Sequence, residues 1–234
     1  MCPFLIFPAL LALGFWQLDR ADQKRTQQAS IIQRQVEAPL VLNQKSVTVQ
    51  DQQKILWRRV IANGYFDEDI QLLLDNQVLN GQAGYFVYTP FQLTGDKDWF
   101  LVNRGWVPAG GDRTRVPELH KTTGQISILG TLKEIPKTGV LLKEVVTEQI
   151  QRGVYRLQAI DPRQIEVLIN GKLIPFVIRL APDSDYGYIR DWSVPGSPEI
   201  GVETHLGYAF QWFALAITVV VIYTVVNLKK TSDS

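Results

Sequence analysis

The 234-residue chain has 24 basic and 23 acidic side chains and 46% hydrophobic residues, averages that match an ordinary globular protein. Its charges are segregated, because residues 1–18 and 206–228 carry none, and the segment between them holds 22 basic and 22 acidic residues. This pattern excludes a fully soluble protein and a nucleic-acid binder that works through a basic field, and one cysteine with two histidines excludes a disulfide framework and a multi-ligand Cys/His zinc site.

The first uncharged run predicts a transmembrane helix over residues 1–18. At 1.5 Å per residue it reaches roughly 27 Å, slightly less than a hydrocarbon core of about 30 Å. A cleaved signal peptide is the alternative, but the run has no basic start, and no A-x-A-like cleavage site precedes Asp19. Residues 19–37 are polar and Gln-rich without Gly or Pro, so they are predicted to continue the helix out of the membrane.

Residues 38–182 have the pattern of a β-rich domain. Short runs of β-branched, leucine and aromatic residues are separated by turn signals such as Asn63-Gly64, Asn80-Gly81 and Asn170-Gly171. The predicted strands are 55–66, 71–74, 85–93, 99–103, 126–133, 154–158 and 173–180. Asp161 and Pro162 predict the start of a short helix over 163–169.

Residues 183–204, with three aromatics and two prolines, are predicted to form an irregular linker into a second transmembrane helix over 205–228. Lys229 and Lys230 begin a tail, 229–234, that the positive-inside rule places in the cytoplasm. Both termini then lie there and the β-rich domain lies on the other side of the membrane. No Arg-rich transit peptide is visible, which favours a bacterial plasma membrane with a periplasmic domain over the mitochondrial inner membrane.

The fold class predicted from these elements is an α+β membrane protein, in which two transmembrane helices flank an extracytoplasmic antiparallel sandwich or barrel-like domain. We expect no enzyme, because the chain has no G-x-S-x-G, H-E-x-x-H or P-loop motif. His120 lies in a charged, Pro-bounded loop and is more simply an exposed histidine than a catalytic one.

His205 lies at the water-side mouth of the second span. At helical spacing its face continues through one Tyr, one Trp and two small residues: Tyr208, Ala209, Trp212 and Ala216. A single imidazole at a membrane edge suits the axial position of haem iron. The alternative is a helix cap within an interfacial belt of aromatic residues.

Two further places are candidates for ligand contacts. Trp16 and Gln17 end the first span at the same membrane surface as His205, where they face its stripe or serve as belt and cap. Arg104 follows an apolar strand in Asn103-Arg104-Gly105-Trp106, where it pairs with a carboxylate of a ligand or, as the simpler alternative, of the protein itself.

Five blocks in chain order resemble the Surfeit locus protein 1 family. Leu13–Arg20 is similar to its "LGxWQLxR" block, Arg59–Tyr65 to its next strand and Gly81–Pro90 to its "GxxGYxVxTP" block. Leu101–Val107 is similar to its "LVNRGWV" block and His205–Phe213 to its "HxxYAxQWF" block.

This resemblance implies a non-enzymatic assembly factor of haem–copper terminal oxidases. It implies haem a as a transient ligand, His205 as the axial ligand of its iron, and oxidase subunit I as partner, with haem a synthase as a further candidate. In this hypothesis Tyr208 and Trp212 pack beside the ring, and Arg20 or Arg104 meets a propionate. The alternative is a scaffold that binds no cofactor and stabilises an assembly intermediate of subunit I; a membrane-anchored hydrolase is disfavoured.

Overall fold

A computed structural model of the chain describes residues 3–42, 55–113, 115–136, 147–192 and 201–232. The chain divides into two compact units, one made of Met1–Gln33 with Gly196–Ser234, the other of Arg34–Pro195. The helices are α1 (Pro3–Val36), α2 (Pro162–Leu168) and α3 (Val202–Ser232). The strands are β1 (Leu40–Val41), β2 (Arg59–Phe66), β3 (Gln71–Leu79), β4 (Gln82–Leu93), β5 (Trp99–Pro108), β6 (Ile126–Glu134), β7 (Thr147–Gln151), β8 (Val154–Leu157) and β9 (Leu173–Leu180).

The first unit consists of the two long helices. Among the described residues one helix is long and apolar enough to cross a membrane, namely Val202–Val225 in α3, and only 11% of its apolar window is buried. A core helix of a soluble protein would be mostly buried, so this exposure agrees with a membrane span. The span predicted over 1–18 does not meet the same measure within the described residues, which begin at Pro3. Helix α1 continues without a break into the polar residues up to Val36.

Helix α3 begins three residues earlier than predicted. The amides of Thr204 and His205 both donate to the carbonyl of Gly201. Glu203 lies in the first turn, where its negative charge interacts favourably with the positive end of the helix dipole. The end of the predicted linker is therefore helical. Residues 193–200 of that linker lie outside the described residues.

The described residues of the second unit form one nine-stranded sheet in the order β1-β2-β6-β9-β5-β4-β3-β8-β7, with a further pairing between β2 and β4. That pairing joins the ends of the run β2-β6-β9-β5-β4, so these five strands close into a small barrel. Strand β4 makes the closure possible because its twelve residues pair with β3 at one end and with β2 at the other. The barrel-like alternative of the predicted fold is thus confirmed.

The prediction of an antiparallel sheet was wrong in one respect, because the observed sheet is mixed and not antiparallel throughout. The pairs β1–β2, β3–β8 and β5–β9 are parallel. Two strands, β1 and β7, were not predicted. Strand β1 has only two residues, too few to form a recognisable pattern, and β7 has a mostly polar sequence without an apolar signal.

Alternating residues fill the barrel. Val60, Ala62, Val102, Ile178 and Leu180 are fully buried in its interior with the aromatic rings of neighbouring strands. A second cluster lies on the outer wall, where α2 packs against β9. The cap predicted for α2 is confirmed, since the Asp161 side chain accepts from the backbone N–H of Arg163 and Pro162 is the first helical residue.

Two turn predictions have opposite outcomes. Asn80 and Gly81 have φ of 51° and 77° and form the tight β3–β4 turn, as Asn-Gly predicts. Asn63-Gly64 was wrongly predicted as a turn. Gly64 lies inside β2, where a Cβ would collide with the backbone of Gln92, so glycine is needed there for close approach of β4.

Candidate functional site

The first and the last of the five sequence blocks meet at one hydrogen bond. The Nδ1 atom of His205 in α3 lies 2.7 Å from Oε1 of Gln17 in α1, and the two residues are 188 positions apart in the sequence. His205 is half-buried and the Gln17 side chain is 9% exposed, so the contact is shielded from water on one side. A shielded hydrogen bond of this kind fixes the orientation of the imidazole ring.

This contact selects one form of the imidazole. A carbonyl oxygen can only accept a hydrogen bond, so this contact is a hydrogen bond in the tautomer that carries its proton on Nδ1 of His205. In the neutral ring Nε2 then keeps its lone pair. Ligation by one nitrogen while the other donates to an amide or carboxylate is the usual arrangement of metal-binding histidines.

Small residues line the seam between the two helices below this contact. Gly14 and Gln17 are buried on one side of α1, and Ala209 and Ala216 are buried on α3. A Cβ on Gly14 would lie 2.6 Å from the Phe213 ring, so only glycine lets that ring approach. Close packing through small residues is how helices associate in membranes.

The other predicted residues lie at the flanks of the seam. Tyr208 is exposed and Trp212 is half-buried, on the side of the α3 stripe away from Phe213. Trp16 is exposed and does not face the stripe, because it is one residue and therefore about 100° from Gln17 on α1. The Arg20 guanidinium carbon lies 5.7 Å from the centre of the Trp16 ring.

We predict that cysteines at positions 14 and 213 form a disulfide readily in a chain in which Cys2 is replaced by Ser. A Cβ at position 14 would meet the Phe213 ring, so residues 14 and 213 face each other across the seam and are placed to crosslink. Gel mobility after oxidation measures the crosslink. The control pair is Trp16→Cys with Phe213→Cys, since residue 16 lies about 200° from Gly14 on α1. Crosslinks of equal yield in both pairs would contradict the described seam.

The comparisons with known proteins agree with the sequence blocks. The model of the SURF1 family matches residues 4–217, a range that contains Gln17, His205 and all the strands. The chain belongs to the SURF1 family. This family is linked to oxidase assembly.

SURF1-like proteins of several organisms are similar to this chain over 40–93% of their own length. A SURF1-like protein of Rickettsia felis is 29% identical over 226 residues, which cover 94% of this chain and 93% of the relative. An uncharacterized SURF1-like protein of Mycobacterium tuberculosis is 26% identical over 92% of this chain and 82% of its own length. A SURF1-like protein of Dictyostelium discoideum is 36% identical over 110 residues, or 44% of this chain and 40% of the relative.

In this SURF1-family chain the third and fourth sequence blocks form the adjacent strands β4 and β5. Gly84 of the third block pairs with Pro108, next to Trp106 of the fourth. The indole Nε1 of Trp106 donates to the carbonyl of Gln77 at 3.0 Å and so ties β5 to β3. These blocks therefore form the framework of the barrel, whereas the first and last blocks form the His205 site.

Arg104 lies in the interior of the β unit and not at its surface. It is 1% exposed, and it occupies a bulge of β5 between Asn103 and Gly105, where the register with β4 shifts. Gly105 has a φ of 117°, and its amide donates to Oδ1 of Asn103 at 3.0 Å. The sequence predicted the strand to end at residue 103, but β5 continues to Pro108 through the bulge.

Each nitrogen of the Arg104 guanidinium has a protein partner. Nη1 lies 3.3 Å from Oε1 of Glu68, Nε donates to the carbonyl of Tyr186 at 2.8 Å, and Nη2 donates to Thr122 Oγ1 and to the carbonyl of His120. The guanidinium carbon also lies 4.7 Å from the Phe66 ring. The ion-pair alternative for Arg104 is therefore the one that the geometry favours, and a propionate would have to displace these partners.

No sequence pattern pointed to Glu68 and Thr122, which contact Arg104 from loops 36 and 18 residues away. His120 was predicted to be an exposed loop residue without a function. The side chain is exposed, as predicted, while its backbone carbonyl accepts from Arg104 and its amide donates to the hydroxyl of Tyr188 at 3.0 Å. Burial raises the pKa of the Tyr188 hydroxyl, so it stays protonated at neutral pH.

Proposed function

We propose that this protein is a non-enzymatic assembly factor of a haem–copper terminal oxidase that binds haem a at His205 and assists its insertion into subunit I. The observation that carries the proposal is the Gln17–His205 hydrogen bond, which leaves Nε2 of a neutral imidazole as an axial ligand. Membership of the SURF1 family supports the oxidase-assembly part.

The residues around His205 fit haem a better than a bare metal ion. No group of three or more His, Cys, Asp or Glu side chains that would hold a metal lies within the described ranges, so a metal here needs most of its ligands from another molecule. A porphyrin supplies four nitrogens and asks the protein for one or two axial groups. Tyr208 and Trp212 offer aromatic surface beside the imidazole, and the exposed Arg20 offers a cation on the polar side.

We further propose that both long helices span a bacterial plasma membrane, with the barrel in the periplasm and both termini in the cytoplasm. Exposed apolar side chains along α1, among them Ile6, Leu13 and Phe15, support the first span, as does the exposure of α3. The farnesyl tail of haem a then stays in lipid while His205 holds the iron at the surface, which avoids the cost of exposing that tail to water.

The deciding experiment is the absorption spectrum of the full chain purified in detergent from cells that make haem a. We expect His205→Ala to lose most of the bound haem and to keep its normal abundance in the membrane, because the substitution removes the axial ligand and little packing. The matched control His120→Ala removes the other histidine and should keep its haem.

Each outcome of this experiment discriminates between functions. Haem content that is unchanged in His205→Ala would reject His205 as the ligand. Loss of haem in His120→Ala would show that His120 is needed for haem binding instead. An unaltered chain that carries no haem, yet co-purifies with subunit I, would favour a scaffold without cofactor. The same co-purification tests whether haem a synthase is a second partner.

A second substitution tests the role of Gln17. We expect Gln17→Ala to weaken haem binding by about tenfold to a hundredfold, the usual effect of losing a residue that orients a metal ligand. Titration of the purified apoprotein with haem measures this affinity. Gln17→Glu is the control, because its carboxylate still accepts from Nδ1; equal weakening in both variants would show that the hydrogen bond is not what orients His205.

A further inference from the structure

The outer wall of the barrel contains a cavity of about 320 Å³ over strands β2, β6 and β9, which lies in a different unit from His205. We call it the β2–β6–β9 pocket. Its polar and aromatic lining includes Gln35, Arg59, Thr131, Arg179, Asp183 and Trp192. Nothing in the proposed handling of haem a uses these residues.

The sheet register places two arginines on either side of a hydroxyl. Thr131 on β6 is the direct neighbour of Arg59 on β2 and of Arg179 on β9. Direct neighbours project from the same face of a sheet. Here that face is the outer one, because Val60, next to Arg59, and Ile178, next to Arg179, point into the barrel interior. With strands about 4.8 Å apart, the two arginines start about 10 Å apart and can converge on one group between them.

Arg179 is held in place within the pocket. Its guanidinium carbon lies 4.7 Å from the centre of the Trp192 ring, and the indole Nε1 of Trp192 donates to the carbonyl of Leu180 at 2.9 Å. Arg179 therefore has a fixed aromatic cover, which reduces the entropy that it loses on binding a ligand.

Positive charge exceeds negative charge at this place. Among the described lining residues Asp183 alone carries a carboxylate, and it also interacts with Arg190. Lys133 lies two residues after Thr131 on the same face of β6, and burial together with the charge of Arg179 lowers its pKa to about 7. The cations thus repel one another, and an anion between them would relieve that repulsion.

We propose that the β2–β6–β9 pocket binds a phosphate group, with Arg59 and Arg179 as charged donors and the Thr131 hydroxyl as a third donor between them. A tetrahedral phosphate presents oxygens in several directions and suits donors that converge from three strands, whereas a planar carboxylate is satisfied by one arginine. The phosphate belongs either to a free phosphate compound or to a lipid headgroup.

The test is a thermal unfolding series on the full chain in a neutral detergent, with inorganic phosphate as the first probe and short-chain phosphatidylglycerol as the second. A ligand that binds only the folded state raises the midpoint in a saturable way, and chloride at matched ionic strength is the reference. We expect a saturable rise that requires at least about tenfold more ligand in Arg59→Gln and in Arg179→Gln. Binding of phosphate alone indicates a free compound, binding of the lipid alone indicates a headgroup, and binding of both supports a phosphate site that accepts either source.

Arg163→Gln is the matched control, because Arg163 is exposed on α2 and its loss changes the net charge equally. It should bind like the unaltered chain. Arg59 is exposed, so Arg59→Gln decides the matter if Arg179→Gln fails to fold. No saturable rise with either probe, equal binding in Arg59→Gln, or equal weakening in Arg163→Gln would each overturn the proposal.

Discussion

Arg104→Ala is expected to abolish accumulation of the folded protein, and not merely to reduce haem content. The substitution removes a guanidinium that is 1% exposed and leaves the Glu68 carboxylate, the Tyr186 carbonyl and Thr122 without it. Breaking a buried ion pair by removing one partner costs about 3–5 kcal/mol. A domain has a total stability of about 5–15 kcal/mol, so a large part of that stability is lost, and all of it at the lower end of the range.

The measurement is the amount of protein in the membrane, together with the urea midpoint of the purified chain. Arg115→Ala is the matched control, because the Arg115 side chain is 86% exposed and pairs with Asp112 on the surface. Arg104→Lys should recover little of the loss, since an ammonium cannot reach several partners in the way a guanidinium does. Normal abundance of Arg104→Ala with reduced haem would instead favour the propionate contact.

The second large effect is expected at Gly84, where Gly84→Glu should prevent folding of the barrel. Gly84 is buried within β4, and a Cβ there would collide with the Trp106 indole and with the Val107 carbonyl. The indole cannot turn away freely, because it is 3% exposed and bonded to the Gln77 carbonyl. Overpacking and a buried carboxylate without a partner together cost about 3 kcal/mol or more.

Protein abundance and oxidase activity should fall together in Gly84→Glu cells. Gly111→Glu is the control, because a Cβ on Gly111 meets nothing within 4 Å and its φ is not positive. Gly84→Ala should give a smaller loss of the same kind, measured as a lower urea midpoint. A stable, abundant Gly84→Glu protein would show that β4 and β5 are not packed as described.

Local patterns in the sequence determined the elements. The uncharged run 206–228 predicted the apolar helix of α3, because helix length and hydropathy are properties of adjacent residues. Asn80-Gly81 predicted its turn and Asp161-Pro162 predicted the start of α2, since each depends on the backbone preferences of two residues. Five separated motif blocks in order predicted the family, which the match over residues 4–217 confirms.

Only the tertiary structure decided which of those elements contact one another. The contact of Gln17 with His205, the bulge that turns Arg104 towards Glu68, and the use of Gly64 for barrel closure each join segments far apart in the chain. Strand register and helix pairing set these contacts, and hydrophobic periodicity does not encode which strand or helix will be the neighbour. That is why the sequence alone named His205 as a candidate ligand but could not assign its tautomer, and why it left Arg104 between ligand and ion pair.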